Sequence, residues 1–272
     1  MIDTQSLLVW QKYAPWVAPS QIEQDLIISR ALVEIYNHPF LKNEVAFRGG
    51  TALQKCFFEN PTRYSEDIDL VQLTKGPIGA ISKALHDTLN PWLGKPNVER
   101  WQKRLTFSYR YISTDTKDSL RLKIEINTAE NYNFLGLIEK PFAMESDWYT
   151  GQAMIKTYQI DEIMGTKLRA LYQRKKGRDL FDLARAIELL PIDIETILRC
   201  FNYYLEQDEG KKVSRAEFER NLSLKKNSQV FIKDIFPLLP FKVKHDFEHD
   251  FALVIDKIIS KLLGEPWKGA KK

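Results

Sequence analysis

The chain has 272 residues, 44% of them hydrophobic and 28% charged, with a formal net charge of +4. That length can hold one large or two modest domains with proper cores, and the composition excludes a disordered, fibrous or disulfide-dense protein. No stretch is long and uncharged enough to span a membrane, and Met1-Ile2-Asp3 does not open a secretory signal. The expectation is therefore a soluble, cytoplasmic protein with no membrane partner. Cys56 and Cys200 lie far apart and match no metal-binding spacing, so they read as reduced core thiols. Mild basicity permits a nucleic-acid partner without demanding one.

Residues 1–19 read as an irregular lead anchored by Trp10 and Trp16. A helix is predicted from Ser20, with Ser20 as its cap and Glu23 completing a capping box. Ile22, Leu26, Ile27, Ala31 and Ile35 form its buried stripe, and Asn37-His38-Pro39 ends it. Val45-Ala46-Phe47 reads as a buried strand entering Gly49-Gly50. Glycines there let backbone N–H groups turn toward an anion, and a short helix over 51–58 adds its positive end. Asn60-Pro61 breaks that helix. Next, the branched residues of Asp67-Ile68-Asp69-Leu70-Val71-Gln72-Leu73 favour a strand. Alternate strand residues share a face, so Asp67 and Asp69 point one way and Ile68 the other. Two carboxylates that close raise one another's pKa unless a cation sits between them. Mg²⁺ or Mn²⁺ carrying a nucleoside triphosphate suits such a pair. The stretch 47–73 therefore points to metal-assisted phosphoryl or nucleotidyl transfer.

Gly49-Gly50-Thr51-Ala52-Leu53, followed by Arg63-Tyr64-Ser65-Glu66-Asp67-Ile68-Asp69-Leu70, resembles the first motif of the AbiEii/AbiGii toxin family of nucleotidyltransferases. That family shares the polymerase-beta-like nucleotidyltransferase fold. The resemblance implies the toxin of a toxin–antitoxin or phage-abortive-infection pair. It further implies RNA, tRNA foremost, as the acceptor and a neutralising antitoxin as partner.

After Leu73, Gly76-Pro77 reads as a turn and 78–89 as a crossover helix ended by Asn90-Pro91. Strands are predicted over 105–111 and 120–127, joined by a hairpin connection at 113–118. In the second strand Leu122, Ile124 and Ile126 alternate with Arg121, Lys123, Glu125 and Asn127. Beside the Asp-x-Asp strand it would aim Glu125 at the metal as a third carboxylate; the alternative is a solvated polar face. Residues 128–157 read as irregular, and a boundary to a helical region is expected near Tyr158. A helix over 160–172 carries Lys167 on or beside its apolar stripe, where a lysine either snorkels outward or reaches into a cleft. Lys167-Leu168-Arg169-Ala170-Leu171 resembles the family's lysine motif, which implies the cleft. Asp179 opens a helix over 180–190 and could simply complement its dipole. Arg178-Asp179-x-x-Asp182-Leu183, however, resembles the family's last motif, whose first aspartate is catalytic or orients substrate. Arg174-Lys175-Lys176 is a basic cluster suited to phosphate or to solvent. Amphipathic helices follow, with 216–222 resembling the family's tail and a basic end at 268–272. His245-Asp246-Phe247-Glu248-His249 matches an inverted zinc-protease pattern, but Phe247 and Phe251 suggest a packing face instead.

The expected fold is α/β (α+β). A small mixed-sheet nucleotidyltransferase core with its N-terminal helix fills 1–157, and a C-terminal helical bundle over 158–272 completes the active-site cleft. In the functional expectation Asp67 and Asp69, with Glu125, hold the metal, and Gly49, Gly50, Thr51 and Ser65 line the triphosphate. Lys167 grips the triphosphate, Asp179 orients or deprotonates the acceptor hydroxyl, and Arg63 and Arg178 stabilise neighbouring charges or the nucleotide's phosphate. Two rivals remain: a nucleotide- or RNA-binding protein without turnover, and triphosphate-dependent modification of a protein hydroxyl.

Overall fold

A computed structural model of the chain describes residues 2–114, 117–241, 243 and 245–269. Parts of the connection expected at 113–118 and of the basic end expected at 268–272 lie outside the described residues. The chain divides into two compact units, Met1–Gln159 with Leu239–Phe241, and Ile160–Leu238 with Lys242–Lys272. No helix among the described residues is long and apolar enough to cross a membrane.

The first unit opens with α1 (Thr4–Trp10), capped by Asp3, where an irregular lead was expected. Helix α2 (Pro19–Asn37) begins at Pro19 rather than after a Ser20 cap. Proline suits a first helical position because its missing N–H has no helical partner there. Glu23 is drawn away from any capping box to accept hydrogen bonds from Ser113 Oγ at 2.6 Å and the Thr114 N–H at 3.0 Å. The turn α3 (Leu41–Glu44) leads into β1 (Val45–Arg48), α4 (Gly49–Cys56) and β2 (Asp67–Gln72). Helix α5 (Gly79–Leu93) runs through Pro91 instead of stopping before it, and Gly94 ends it at φ +77°. A proline in the final turn forfeits few hydrogen bonds, and continuing buries Leu93.

Strands β3 (Asn97–Trp101), β4 (Arg104–Ile112), β5 (Ser119–Asn127), β6 (Leu137–Glu145) and β7 (Thr150–Tyr158) complete this unit. They form a seven-stranded mixed sheet among the described residues, ordered β3-β4-β5-β2-β1-β7-β6. Strands β2 and β5 pair in parallel, as do β1 and β7, while the other neighbours are antiparallel. The segment expected to be irregular, 128–157, is largely the β6–β7 hairpin. Pro141 obscured it: proline within a run argues against a strand, yet it is admissible at the sheet edge that β6 occupies. Ile68, Leu70, Phe107, Leu122, Ile124 and Ile126 are buried on one face of the sheet. Helix α2 meets β5, β6 and β7, and α5 meets β4.

The second unit is helical: α6 (Ile160–Gln173), α7 (Gly177–Leu189), α8 (Ile194–Glu209), α9 (Arg215–Lys226), α10 (Gln229–Lys233) and α11 (Phe247–Lys257). Helix α6 packs on α7 and α8 around Ile163, Met164, Leu168, Ile197 and Phe201. Gly165 admits α8 this closely, since a Cβ there would strike Cys200. The two histidines of the zinc-like pattern turn to different carboxylates, His245 to Asp250 at 3.2 Å and His249 to Glu188 at 3.0 Å. Phe247 and Phe251 pack on one another, ring centroids 5.7 Å apart.

Candidate active site

In the first unit the strand register assembles an acidic row. Asp69 lies directly opposite Glu125 on β5 and Arg48 on β1, and Asp67 lies opposite Lys123. Directly opposed residues share a sheet face, so Asp67, Asp69, Lys123 and Glu125 emerge together, away from Ile68 and Ile124. The Lys123 Nζ bridges Asp67 at 3.1 Å and Glu125 at 3.0 Å. Burial pushes the Asp67 carboxyl up to about 6; Lys123 pulls against this without overcoming it, while Asp69 and Glu66 add repulsion. Burial would also lower the Lys123 pKa, but Asp67 and Glu125 outweigh it and raise it. The row therefore favours positive charge on this face.

Glycine is required at the head of α4. Gly49 has φ +82°, and a Cβ there would run into the Asp69 carboxylate; one at Gly50 would strike Arg63. The expected glycine turn is thus the first turn of the helix itself. Thr51 is 1% exposed, and its hydroxyl donates to the Asp67 carbonyl and approaches Ser65 Oγ at 2.8 Å. It fastens α4 to the base of β2. Arg63, also 1% exposed, lies beneath Gly50 and donates to the Tyr64 carbonyl at 2.8 Å. Gln24 braces the same region from α2, donating to the carbonyls of Glu66 at 3.0 Å and Arg121 at 2.9 Å. A polar cavity of about 380 Å³ beside this frame is lined by Tyr64, Glu66, Asp67, Arg121 and Lys123 among others.

Metal fit follows from the donors. Among the described residues no three or more His, Cys, Asp or Glu side chains converge as a complete cage. Asp67 and Asp69, with Glu125 in the adjacent register position, are hard oxygen donors. Mg²⁺ is commonly held by one or two carboxylates with water and substrate phosphate completing its shell. The row fits that partial mode.

The second unit has its own charged cluster. Lys167 on α6 is almost buried, with Nζ 3.1 Å from Asp179 and 2.7 Å from Asp182 on α7. Arg174 grips Asp179 with two hydrogen bonds, 2.7 and 2.8 Å, while remaining half-exposed. Burial alone would raise the Asp179 carboxyl; Lys167 and Arg174 reverse this and hold it at about 2. Asp179 lies in the first turn of α7, where a carboxylate complements the helix dipole, and not at its cap: α7 begins at Gly177, and the Asp179 N–H donates to the Lys176 carbonyl at 3.2 Å. Arg178 turns instead to Asp234, 2.9 Å from its Nε. The structure thus joins Lys167 to Asp179 and draws Arg178 to a different carboxylate. Lys123, Arg48, Arg174 and Asp182 escaped assignment to the site from sequence. For Asp182 the signal was present, at helical spacing from Asp179; Lys123 and Arg48 depend on strand register.

A sequence profile for the family described as nucleotidyl transferase AbiEii toxin, type IV toxin–antitoxin system, matches residues 30–253. No curated protein sequence matches the chain. Among solved structures it is similar to MenT4, a nucleotidyltransferase toxin from Mycobacterium tuberculosis H37Rv. The TM-score is 0.67 at 16% identity, covering 94% of this chain and 90% of that one. A protein from H. pylori described as a nucleotidyltransferase gives 0.53 at 17% identity, covering 88% and 92%. JHP933 from Helicobacter pylori gives 0.50 at 16% identity, covering 87% and 89%. At these identities the structures speak for the fold, and the profile, spanning most of the chain, speaks for the family. The chain belongs to the AbiEii family of nucleotidyltransferase toxins.

Proposed function

We propose that the protein is a divalent-metal-dependent enzyme that moves a nucleoside monophosphate from a triphosphate onto RNA, tRNA foremost, and is neutralised by a cognate antitoxin. The observation that carries this reading is the register of Asp67, Asp69 and Glu125 on one sheet face, with Gly49 packed against Asp69 at a helix start. An acceptor hydroxyl attacks the α-phosphorus, the bond to the bridging oxygen breaks, pyrophosphate leaves, and the hydroxyl proton passes to solvent. Asp67 and Asp69 would hold Mg²⁺ or Mn²⁺, with Glu125 joining them only by leaving Lys123 and Arg104, 3.0 and 3.6 Å away. When bound, such an ion offsets charge developing on the phosphate oxygens. The Gly49-Gly50 backbone at the start of α4 offers N–H groups to the triphosphate, with Ser65 beside it. Thr51 and Arg63, both buried, serve this reaction by holding that turn in shape.

Lys167, buried between Asp179 and Asp182, serves by fixing α6 to α7, and the half-exposed Arg174 is the cation of this cluster open to phosphate. Asp179 suits orienting better than deprotonating: a carboxyl held at about 2 is a weak base. Its part is to fix Lys167 and Arg174. Arg178, tied to Asp234, contributes by shaping the start of α7.

The test is incubation with each α-labelled triphosphate, Mg²⁺ or Mn²⁺ and cellular RNA, followed by gel separation. Label should enter RNA, vanish with chelator, and fall by at least about a hundredfold in Asp69→Asn with unchanged thermal stability. Full incorporation by Asp69→Asn would end the metal assignment. Label on protein would favour the hydroxyl-modifying rival, and transfer of a γ-label would make the reaction kinase-like.

A further inference from the structure

Strands β3, β4 and β5 form a wing whose polar face continues the acidic row. The register carries Asp69 across to Glu125, Thr106 and Glu99, and Asp67 across to Lys123, Ser108 and Asn97. One row further, Asn127, Arg104 and Trp101 stand directly opposite one another. At the other end Arg110 and Arg121 are directly opposed. All four residues Trp101, Arg104, Arg110 and Arg121 therefore share the face that bears Asp67 and Asp69.

Two features there lack an internal explanation. Trp101 is 73% exposed on the outermost strand and makes no ring contact among the described residues. It sits in the basic run Arg100-Trp101-Gln102-Lys103-Arg104, beside a tight turn in which Gln102 holds φ +47°. A two-residue hairpin turn between Trp101 and Arg104 calls for such a positive φ, so the turn itself accounts for it. Arg110 and Arg121 are both exposed and neither makes an ion pair among the described residues. Like charges directly opposite across strands destabilise a sheet. An anion lying over the pair removes that repulsion. Arg121 also lines the cavity that contains Asp67.

We propose that this wing is the docking face for the acceptor strand: Arg110 and Arg121 clamp a phosphodiester, and Trp101 stacks a base of single-stranded RNA. The inference rests on the RNA-acceptor reading above and specifies where the acceptor lies. On this face Arg104 pairs with Glu125 at 3.6 Å and Lys123 with Asp67 and Glu125, which leaves Arg110 and Arg121, away from the carboxylates, as the cations open to a phosphate. Aromatic stacking beside cationic side chains is the recurring means of holding unpaired bases. Trp101 stands three strands from Asp69, about 14 Å across the sheet at ordinary strand spacing. A strand bound at both places thus crosses the Glu125–Thr106–Glu99 row on the wing, to one side of Asp67 and Asp69.

The experiment measures anisotropy of fluorescein-labelled oligo(A) and of labelled unfractionated tRNA with wild type, Trp101→Ala, Trp101→Phe and Arg110→Glu. Trp101→Ala should weaken oligo(A) binding by about tenfold and Trp101→Phe should restore most of it. Arg110→Glu should flatten the dependence of log affinity on log salt by about 1. By facing Arg121 with an opposite charge, it should also leave thermal stability equal or higher. Binding of a non-hydrolysable triphosphate without RNA should not change in any variant. If wild type binds both probes and the variants match it, the wing is not the acceptor face. A wild type that binds neither RNA yet transfers nucleotide to protein overturns the acceptor reading itself. Variants that keep RNA affinity but lose a co-purifying antitoxin make the wing a protein interface and overturn the proposal.

Discussion

Asp69 is held by its neighbours as much as by its own strand. Gly49 adopts φ +82° within contact distance of its carboxylate, so any side chain at Gly49 must displace Asp69 or the head of α4. Alanine in a left-handed conformation costs about 1–2 kcal/mol. Gly49→Ala should thus lower stability modestly in urea while reducing nucleotide incorporation far more than that loss predicts. Equal activity with equal stability would show that Asp69 does not need this fit. The Lys167 cluster offers a pH test. The native Asp179 carboxyl, at about 2, lies below its usual value of 3.8. On acidification the unfolded chain therefore takes up this proton first, and the stabilising contribution, complete above about pH 4, is lost as pH falls toward 2. In Asp179→Asn the urea midpoint should fall less steeply over that window than in wild type; parallel slopes would mean the carboxylate titrates normally.

Within the first unit, one buried aspartate ties three helices together. Asp25 on α2 accepts from the indole N–H of Trp10 on α1 at 2.9 Å and from Trp16 at 3.3 Å, and pairs with Lys55 on α4 at 2.6 Å. Asp25→Ala strands the Lys55 ammonium and both indoles, which should cost about 3 kcal/mol in urea unfolding. A loss below about 0.5 kcal/mol would show that water replaces the carboxylate. This hub was invisible in the sequence, because Trp10 and Trp16 looked like apolar anchors and their partner lay on another helix. Legibility follows the same division throughout. The period-two alternation of β5 and the Asp-x-Asp of β2 could be read directly, since each is a property of a single strand. Strand β3, exposed at every position, and β6, interrupted by Pro141, carry weak patterns that only their edge positions explain. Lys123 enters the site through register, and the burial of Arg63 depends on Gly50, whose missing side chain leaves it room.

At the scale of the whole chain, the transferase reading asks residues from both units to serve one reaction. Asp69 belongs to the sheet unit and Asp179 to the helical one. Their cooperation can be measured without reference to distance. Groups acting in the same chemical step are strongly non-additive: once one is lost, the other has little left to assist. Asp69→Asn and Asp179→Asn should each reduce single-turnover incorporation of an α-labelled triphosphate. The double variant should then be no slower than the poorer single variant. Independent contributions would instead multiply their fold-losses, as for distant sites with no shared function. Thermal melts of all four proteins must show each of them folded at the assay temperature for the comparison to hold. Asp179→Asn is suited to this because Asp182, 2.7 Å from Lys167, still pairs that ammonium in the variant. Multiplied losses in proteins that are all folded at the assay temperature would confine the chemistry to the carboxylate row of the sheet and leave Asp179 a structural residue.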